Sequence, residues 1–172
     1  MEFLATVRAA QVGRRPAGLI AVLCALAALG AGAAPAAAAG TSAWGYNAYG
    51  ELGNGSTTKS TVAVSVKGLG SGVKSVSAGI THDLALLNDG TVKAWGANEY
   101  GQLGIGNDNG PEGCSFGAEP CSTTPLAVSG LSGVTQISGG GRHNLALLSD
   151  GTVKAWGGNG SGELGNGTHT GP

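Results

Sequence analysis

Charge is scarce in this chain and basic clusters are missing from it. Only 11% of its 172 residues are Asp, Glu, Lys or Arg, and beyond residue 39 no two Lys or Arg are adjacent. Nucleic-acid binding normally rests on a concentrated positive surface, so that function class is set aside. Gly-Lys-Ser/Thr is absent, so glycine-rich pieces such as Gly139-Gly-Gly-Arg142 are not phosphate loops. No serine stands in a nucleophile-elbow context, which leaves a hydrolase reading without support. Histidine is rare, and His82, His143 and His169 have no second histidine at ligand spacing. No metal, cofactor or catalytic group is therefore expected. Structural use is expected for the histidines, with His82 and His143 bonding nearby backbone where their strands begin.

Glycine is abundant instead, 34 residues in all, without the every-third spacing of collagen. Frequent Gly beside short apolar runs indicates many turns between many short strands.

The N-terminus has its own order. Arg8, Arg14 and Arg15 precede the apolar run Leu19–Leu29, and small residues follow from Gly30 to Gly40. Basic, apolar, then small is the arrangement of a secretory signal peptide, with cleavage expected near Ala37–Ala39. The run is too short and too rich in Ala and Gly to span a bilayer well. Residues 1–39 are thus expected to be removed, by a general or a twin-arginine route, leaving no membrane span. Without them six Lys or Arg face nine Asp or Glu, a mildly acidic formal charge of about −3.

The octamer Asp-Gly-Thr-Val-Lys-Ala-Trp-Gly occurs twice, at 89–96 and 150–157. Aligned outward from it, His82–Gly96 and His143–Gly157 differ only at 83/144 and 88/149. Gly-Glu-Leu-Gly or Gly-Gln-Leu-Gly follows each tryptophan, at 50–53, 101–104 and 162–165. Trp44, Trp95 and Trp156 occupy one repeat position, and the extra length of the second period falls at 107–124. A period near 50 residues belongs to propeller blades and arrays. Leu84–Leu87 and Leu145–Leu148 are apolar on both faces, as strands sandwiched between sheets must be. Asn88-Asp89-Gly90 and Ser149-Asp150-Gly151 are tight turns. Thr91–Trp95 and Thr152–Trp156 are return strands, Val73–Ser77 and Val134–Ser138 precede, and Val62–Val66 or Leu126–Val128 supply a fourth. Four short antiparallel strands per period make a blade. The tryptophans, each ending a return strand before a glycine, are expected to pack on the neighbouring blade.

"ALLNDGTVKAWGANEYGQLGIG" resembles the repeat of the regulator of chromosome condensation family, whose marks are Gly-x-x-His, Leu-x-x-Asp-Gly, Trp-Gly-x-Asn and Gly-Gln-Leu-Gly. The resemblance covers essentially all of residues 41–172. It implies an all-β fold, a β-propeller commonly of seven blades, of which about two and a half are present here. The chain is also similar to secreted bacterial members, which include a propeller-shaped inhibitor of β-lactamases. The eukaryotic founder exchanges guanine nucleotide on a small GTPase and docks on chromatin, a role that suits neither a secretion signal nor an acidic chain. Seven such blades need about 360 residues. The count leaves two readings: a piece of a longer reading frame, which the length favours, or several copies closing a ring.

Recognition is expected on the loops. Tyr46, Tyr49 and Tyr100 follow the tryptophans, and Phe116 lies in the insertion. Aromatic side chains on loops of a rigid scaffold are common binding anchors. Cys114 and Cys121 are the cysteines left after signal removal and flank one loop, so a disulfide is expected in an exported protein. The reading these residues favour is a secreted module that binds an extracellular or cell-surface protein. The alternatives are a propeller enzyme of lyase or hydrolase type, and an architectural cell-wall segment. The near identity of polar positions in the two units favours binding over catalysis, since a reacting site would break the repeat. The Asn-x-Ser/Thr triplets at Asn54, Asn159 and Asn166 are expected to be Asn-Gly turns rather than glycosylation sites.

Overall fold

A computed structural model describes residues 40–115 and 117–170. The expected signal segment and Phe116 lie outside the described residues. Among the described residues ten strands run in chain order: β1 (Ser42–Gly45), β2 (Ser60–Ser65), β3 (Val73–Ala78), β4 (His82–Leu87), β5 (Val92–Ala97), β6 (Glu112–Cys114), β7 (Glu119–Ala127), β8 (Val134–Gly139), β9 (His143–Leu148) and β10 (Val153–Gly157). Every pairing is antiparallel, and the strands form three sheets ordered β1-β2, β3-β4-β5-β7-β6 and β10-β9-β8. The middle sheet is a full four-stranded blade extended by β6. The first sheet holds the two outer strands of a blade, and the third holds the three inner ones. The all-β, partial-propeller expectation stands.

The turns follow from the duplicated octamer. Asp89 Oδ1 accepts from the Thr91 backbone N–H at 2.9 Å, and Asp150 Oδ1 from that of Thr152 at 2.8 Å. Each carboxylate therefore fixes the turn that returns the chain. The Thr91 hydroxyl and then its backbone N–H hold the Asp89 carboxyl below the ordinary Asp range, and the Thr152 backbone N–H and then its hydroxyl do so for Asp150.

β4 is covered on both sides because its neighbours are sheets rather than solvent. Leu84 and Leu86 pack with Val92, Ala94, Leu103, Val128, Val134 and Ala146 toward the third sheet. Ala85 joins Val66, Leu69, Val73 and Trp95 toward the first. Burying a Leu of this kind stabilises by about 1.5–3 kcal/mol, so these two seams hold the three sheets in register. β8 lies beside β3 and β4. Ser77 Oγ accepts from Gly139 N–H at 2.8 Å, joining the innermost strands of adjacent blades.

The insertion departs from a plain loop. Residues 107–124 contain β6 and the first part of β7, so the fourth strand starts at Glu119 rather than at Leu126. The disulfide explains this: it clips a three-residue strand onto β7, with Cys114 opposite Glu119 and Glu112 opposite Cys121.

Candidate binding face

One end of the sheets gathers the loops after β1, β5 and β10, the β3–β4 and β8–β9 connections, and the insertion. Its backbone is preset by side chains of the repeat. Asn47, Asn98 and Asn159, the last residue of each Trp-Gly-x-Asn, are buried. Each accepts through Oδ1 from the leucine of its Gly-x-Leu-Gly: Leu52 at 2.8 Å, Leu103 at 2.9 Å and Leu164 at 3.0 Å. Each donates through Nδ2 to carbonyls nine and eleven residues on, Ser56 and Thr58, Asn107 and Asn109, Thr168 and Thr170. A single buried amide thus closes each loop, its own donors and acceptor satisfied by the backbone it ties together. Asn159 is consumed by this latch and is not presented as a glycan acceptor. Asn54 and Asn166 accept from the backbone two residues on, as Asn-Gly turns do.

The middle residue of Gly-x-Leu-Gly holds the loop tip. Glu51 Oε2 accepts from Tyr49 N–H at 2.9 Å, Gln102 Oε1 from Tyr100 N–H at 2.8 Å, and Glu163 Oε2 from Ser161 N–H at 2.8 Å. The two tyrosines therefore start from fixed backbone positions.

Adjacent blades lock at the same end. Trp95 Nε1 donates to Glu51 O at 2.7 Å and Trp156 Nε1 to Gln102 O at 3.1 Å. The closing glycines make room for those indoles. A Cβ on Gly53 would stand 2.9 Å from Trp95 Nε1, and one on Gly104 would stand 2.8 Å from Trp156 Nε1. Trp95 and Trp156 pack against the neighbouring blade, as expected. His82 differs from expectation: its Nε2 meets Asn144 Oδ1 of the next blade at 2.7 Å rather than only local backbone. Asn144 was not singled out in the sequence, although it is one of two positions where the repeats differ.

Three of the four sequence-derived aromatic positions can be located. Tyr46 is half exposed, at 50%. Burial, then the Glu51 carboxylate and Tyr49, pushes its phenol above the usual range. Tyr49 and Tyr100 are partly buried at equivalent places. Tyr100 is covered: the Arg142 guanidinium lies 4.3 Å from its ring centre, a cation–π contact from the next blade. Arg142 was missed because its repeat partner is Thr81, so the repeat itself gives no signal there. Beside this pair, burial and then the Glu119 carboxylate push Glu99 above the ordinary Glu range, against the pull of Arg142.

Cys114 and Cys121 form a disulfide, with Cα atoms 5.8 Å apart. The bridged hairpin reaches across to the first blade, where Ser115 N–H donates to Ala48 O at 3.1 Å. The insertion and Ala48-Tyr49 therefore share one surface. Among the described residues, Glu112, Cys114 and Cys121 are grouped closely enough to hold a metal. Two of these three donors are spent in the disulfide, so the group offers no thiolate. No helix among the described residues is long and apolar enough to cross a membrane.

Family models for the regulator of chromosome condensation (RCC1) repeat match residues 43–86 and 89–147, and a second model of that repeat matches 73–102 and 134–163. The chain belongs to the RCC1 repeat family. It is similar to protein pim1 of Schizosaccharomyces pombe, 38% identical over 73% of this chain and 25% of that protein. It is also similar to the ultraviolet-B receptor UVR8 of Arabidopsis thaliana, 30% identical over 74% of this chain and 27% of the receptor. Among solved structures, yeast RCC1 (Prp20) bound to Kap60 superposes with a TM-score of 0.66, at 22% identity over 75% of this chain and 30% of that one. Prp20p of Saccharomyces cerevisiae, described together with its binding to Gsp1p and histones, gives 0.62 at 22% identity, over 77% of this chain and 33% of that one. These superpositions establish the propeller fold. The RCC1-repeat chain spans about a quarter to a third of the length of these relatives.

Proposed function

We propose that this RCC1-repeat chain is an exported binding module that engages a protein partner outside the cytoplasm through the loop face just described. The observation that carries the reading is the bond from Ser115 to Ala48. It lays a disulfide-stapled hairpin against a tyrosine loop of the preceding blade and makes one contiguous, rigid surface. Rigid loops lose little freedom on binding, which favours affinity. Relatives in the family are described with protein partners, Kap60 for yeast RCC1 and Gsp1p and histones for Prp20p. The basic–apolar–small N-terminus and the cysteine pair support export, because disulfides persist in oxidising compartments.

Two measurements test the two halves. N-terminal sequencing of protein from the culture medium should begin close to Gly40. A chain retained in cells with Met1 intact removes the extracellular reading. A photo-crosslinking residue at Tyr46 should give a discrete protein adduct that the same residue at Asp89, on the opposite end, does not. Equal labelling from both ends removes the loop face as the recognition surface.

A further inference from the structure

Asn-Gly occurs four times in the chain, at 54–55, 109–110, 159–160 and 166–167. The pair is chemically special because glycine has no Cβ to keep its own backbone nitrogen from closing on the preceding side-chain amide. That closure needs an amide carbon with room to move, an amide nitrogen free to leave, and a glycine N–H not committed elsewhere. The fold distributes these unequally over the four pairs.

Three of the pairs are tied down. Asn159 is buried, and its Nδ2 donates to the carbonyls of Thr168 and Thr170, both at 3.1 Å. Its leaving group is therefore held inside the loop it closes. At Asn54 the nucleophile is held instead: Gly55 N–H donates to Thr123 O of β7 at 2.9 Å. Asn54 Oδ1 also accepts from Ser56 N–H at 3.0 Å and from the Ser56 hydroxyl at 2.9 Å. Asn166 is exposed, but its Oδ1 accepts from Thr168 N–H at 3.0 Å and from the Thr168 hydroxyl at 2.8 Å, which fixes the side chain.

Asn109 differs at each point. It is exposed, and among the described residues neither its side-chain amide nor the Gly110 N–H makes a hydrogen bond. The other end of the same peptide unit is engaged, since Asn98 Nδ2 donates to Asn109 O. A donor on that oxygen stabilises the negative charge the unit carries when Gly110 gives up its proton. In the other two units the equivalent latch falls on Thr58 and Thr170, so only here does it meet an Asn-Gly pair.

We propose that Asn109 is a self-modification site, where the Gly110 nitrogen converts the side-chain amide to an aspartyl or isoaspartyl residue. The nitrogen bonds to Asn109 Cγ, the Cγ–Nδ2 bond breaks, and ammonia leaves with the proton given up by Gly110. Water then opens the cyclic imide at either carbonyl. Opening at the main-chain carbonyl leaves the isoaspartyl form, whose backbone runs through Cγ and is one methylene longer.

The hairpin has no slack for that methylene. Gly110 lies so close to β7 that a Cβ there would run into the backbone of Cys121. Glu112, two residues on, is paired with Cys121, and Cys114 is bridged to the same cysteine. The new carboxylate also joins Asp108 and Glu112 on one short segment. The modification therefore loosens the start of β6 and with it the reach of Ser115 to Ala48. This chemistry is independent of whether the loop face binds a partner.

The test compares the four pairs in folded and unfolded protein. The chain is held in mildly alkaline heavy-oxygen water, once native and once in denaturant with the disulfide intact, then digested for mass spectrometry. In denaturant the four pairs should gain label at similar rates. In the native chain Asn109 should keep its unfolded rate or exceed it. Asn54 and Asn159 should slow by about tenfold, the factor that a retained hydrogen bond places on a rate. Asn166 should fall between. A slowing of Asn109 on folding as strong as that of Asn54, or a faster Asn166 in the native chain, overturns the assignment. As isoaspartate accumulates at 109, hydrogen exchange at the Ser115 amide should quicken. Exchange that stays at its starting rate overturns the loosening of β6.

Discussion

The imidazole Nε2 of His82 and the side-chain oxygen of Asn144 lie 2.7 Å apart across the seam between two blades. The amide nitrogen of Asn144 donates to Gln102 O at 2.8 Å, which fixes the amide orientation and makes Oδ1 the acceptor. His82 therefore donates from Nε2. Both side chains are fully buried, so neither can fall back on water if the other is removed.

Asn144→Leu should lower unfolding free energy by about 1–3 kcal/mol, the cost of stranding a buried polar group. The denaturation midpoint measures it. Asn144→Asp keeps an acceptor for His82 but buries a carboxylate with an oxygen against Gln102 O, so a loss at least as large is expected. A midpoint unchanged in both variants would show that the seam is held by its leucines alone.

The two inter-blade indole bonds allow a matched comparison. Trp95 is 3% exposed and its bond to Glu51 O is 2.7 Å, while Trp156 is half-buried with a bond of 3.1 Å. Phe removes the N–H and keeps an aromatic ring. Trp95→Phe should cost about 1–2 kcal/mol, the loss of a buried bond that leaves a carbonyl behind. Trp156→Phe should cost less, because Gln102 O keeps Asn144 as a second donor. Equal losses in the two variants would show that ring volume sets the effect.

The fold was legible because the repeat is written in local chemistry. Asp-Gly marks the turn, Leu-Ala-Leu-Leu marks the doubly covered strand, and the tryptophan marks the return strand, which runs on past it to Ala97 in β5 and Gly157 in β10. The seams were less legible. Nothing within one period tells that Asn144 reaches back to His82, since position 83 carries Asp in the preceding unit. Arg142 stands where that unit has Thr81, so its stacking on Tyr100 emerges only when two blades are brought together. The strand content of the insertion was hidden for a related reason: Glu112-Gly-Cys is a poor strand by composition, and the disulfide and pairing to β7 impose it.

Glu99 gives a pH dependence with a definite sign. Its carboxyl is raised in the folded chain, first by burial and then by Glu119, so the folded state holds its proton to higher pH than the unfolded chain does. Stability from this group is present below its raised value and declines as pH climbs from the ordinary Glu range through it. Asp89 and Asp150 act oppositely, since their lowered values give stability that is lost as pH falls. Subtracting Glu99→Gln from the parent isolates the first effect. The variant should melt higher than the parent at neutral pH, with the gap closing toward pH 4. A parallel offset at all pH values would mean that packing, not ionisation, separates the two.

The binding prediction separates exposed aromatic groups from covered ones. Tyr46 is half exposed on a loop whose backbone Glu51 and Asn47 already hold, so its ring is available without rearrangement. Tyr100 is partly buried under Arg142, so a partner on that side meets the guanidinium together with the ring. Tyr46→Ala should therefore weaken binding of the captured partner by about 1 kcal/mol or more, the usual scale of an aromatic anchor, while leaving the melting temperature nearly unchanged. Arg142→Ala and Tyr100→Ala should weaken binding by similar amounts, and the double variant by less than their sum, because each side chain presents the other. Phe116→Ala tests the insertion in the same assay and should behave like Tyr46→Ala. Additive losses for Arg142 and Tyr100 would mean that the two contact the partner independently. If Tyr100→Ala and Arg142→Ala lower the melting temperature while the surviving folded fraction binds normally, the stack is an inter-blade fastener and recognition is confined to Tyr46 and the stapled hairpin.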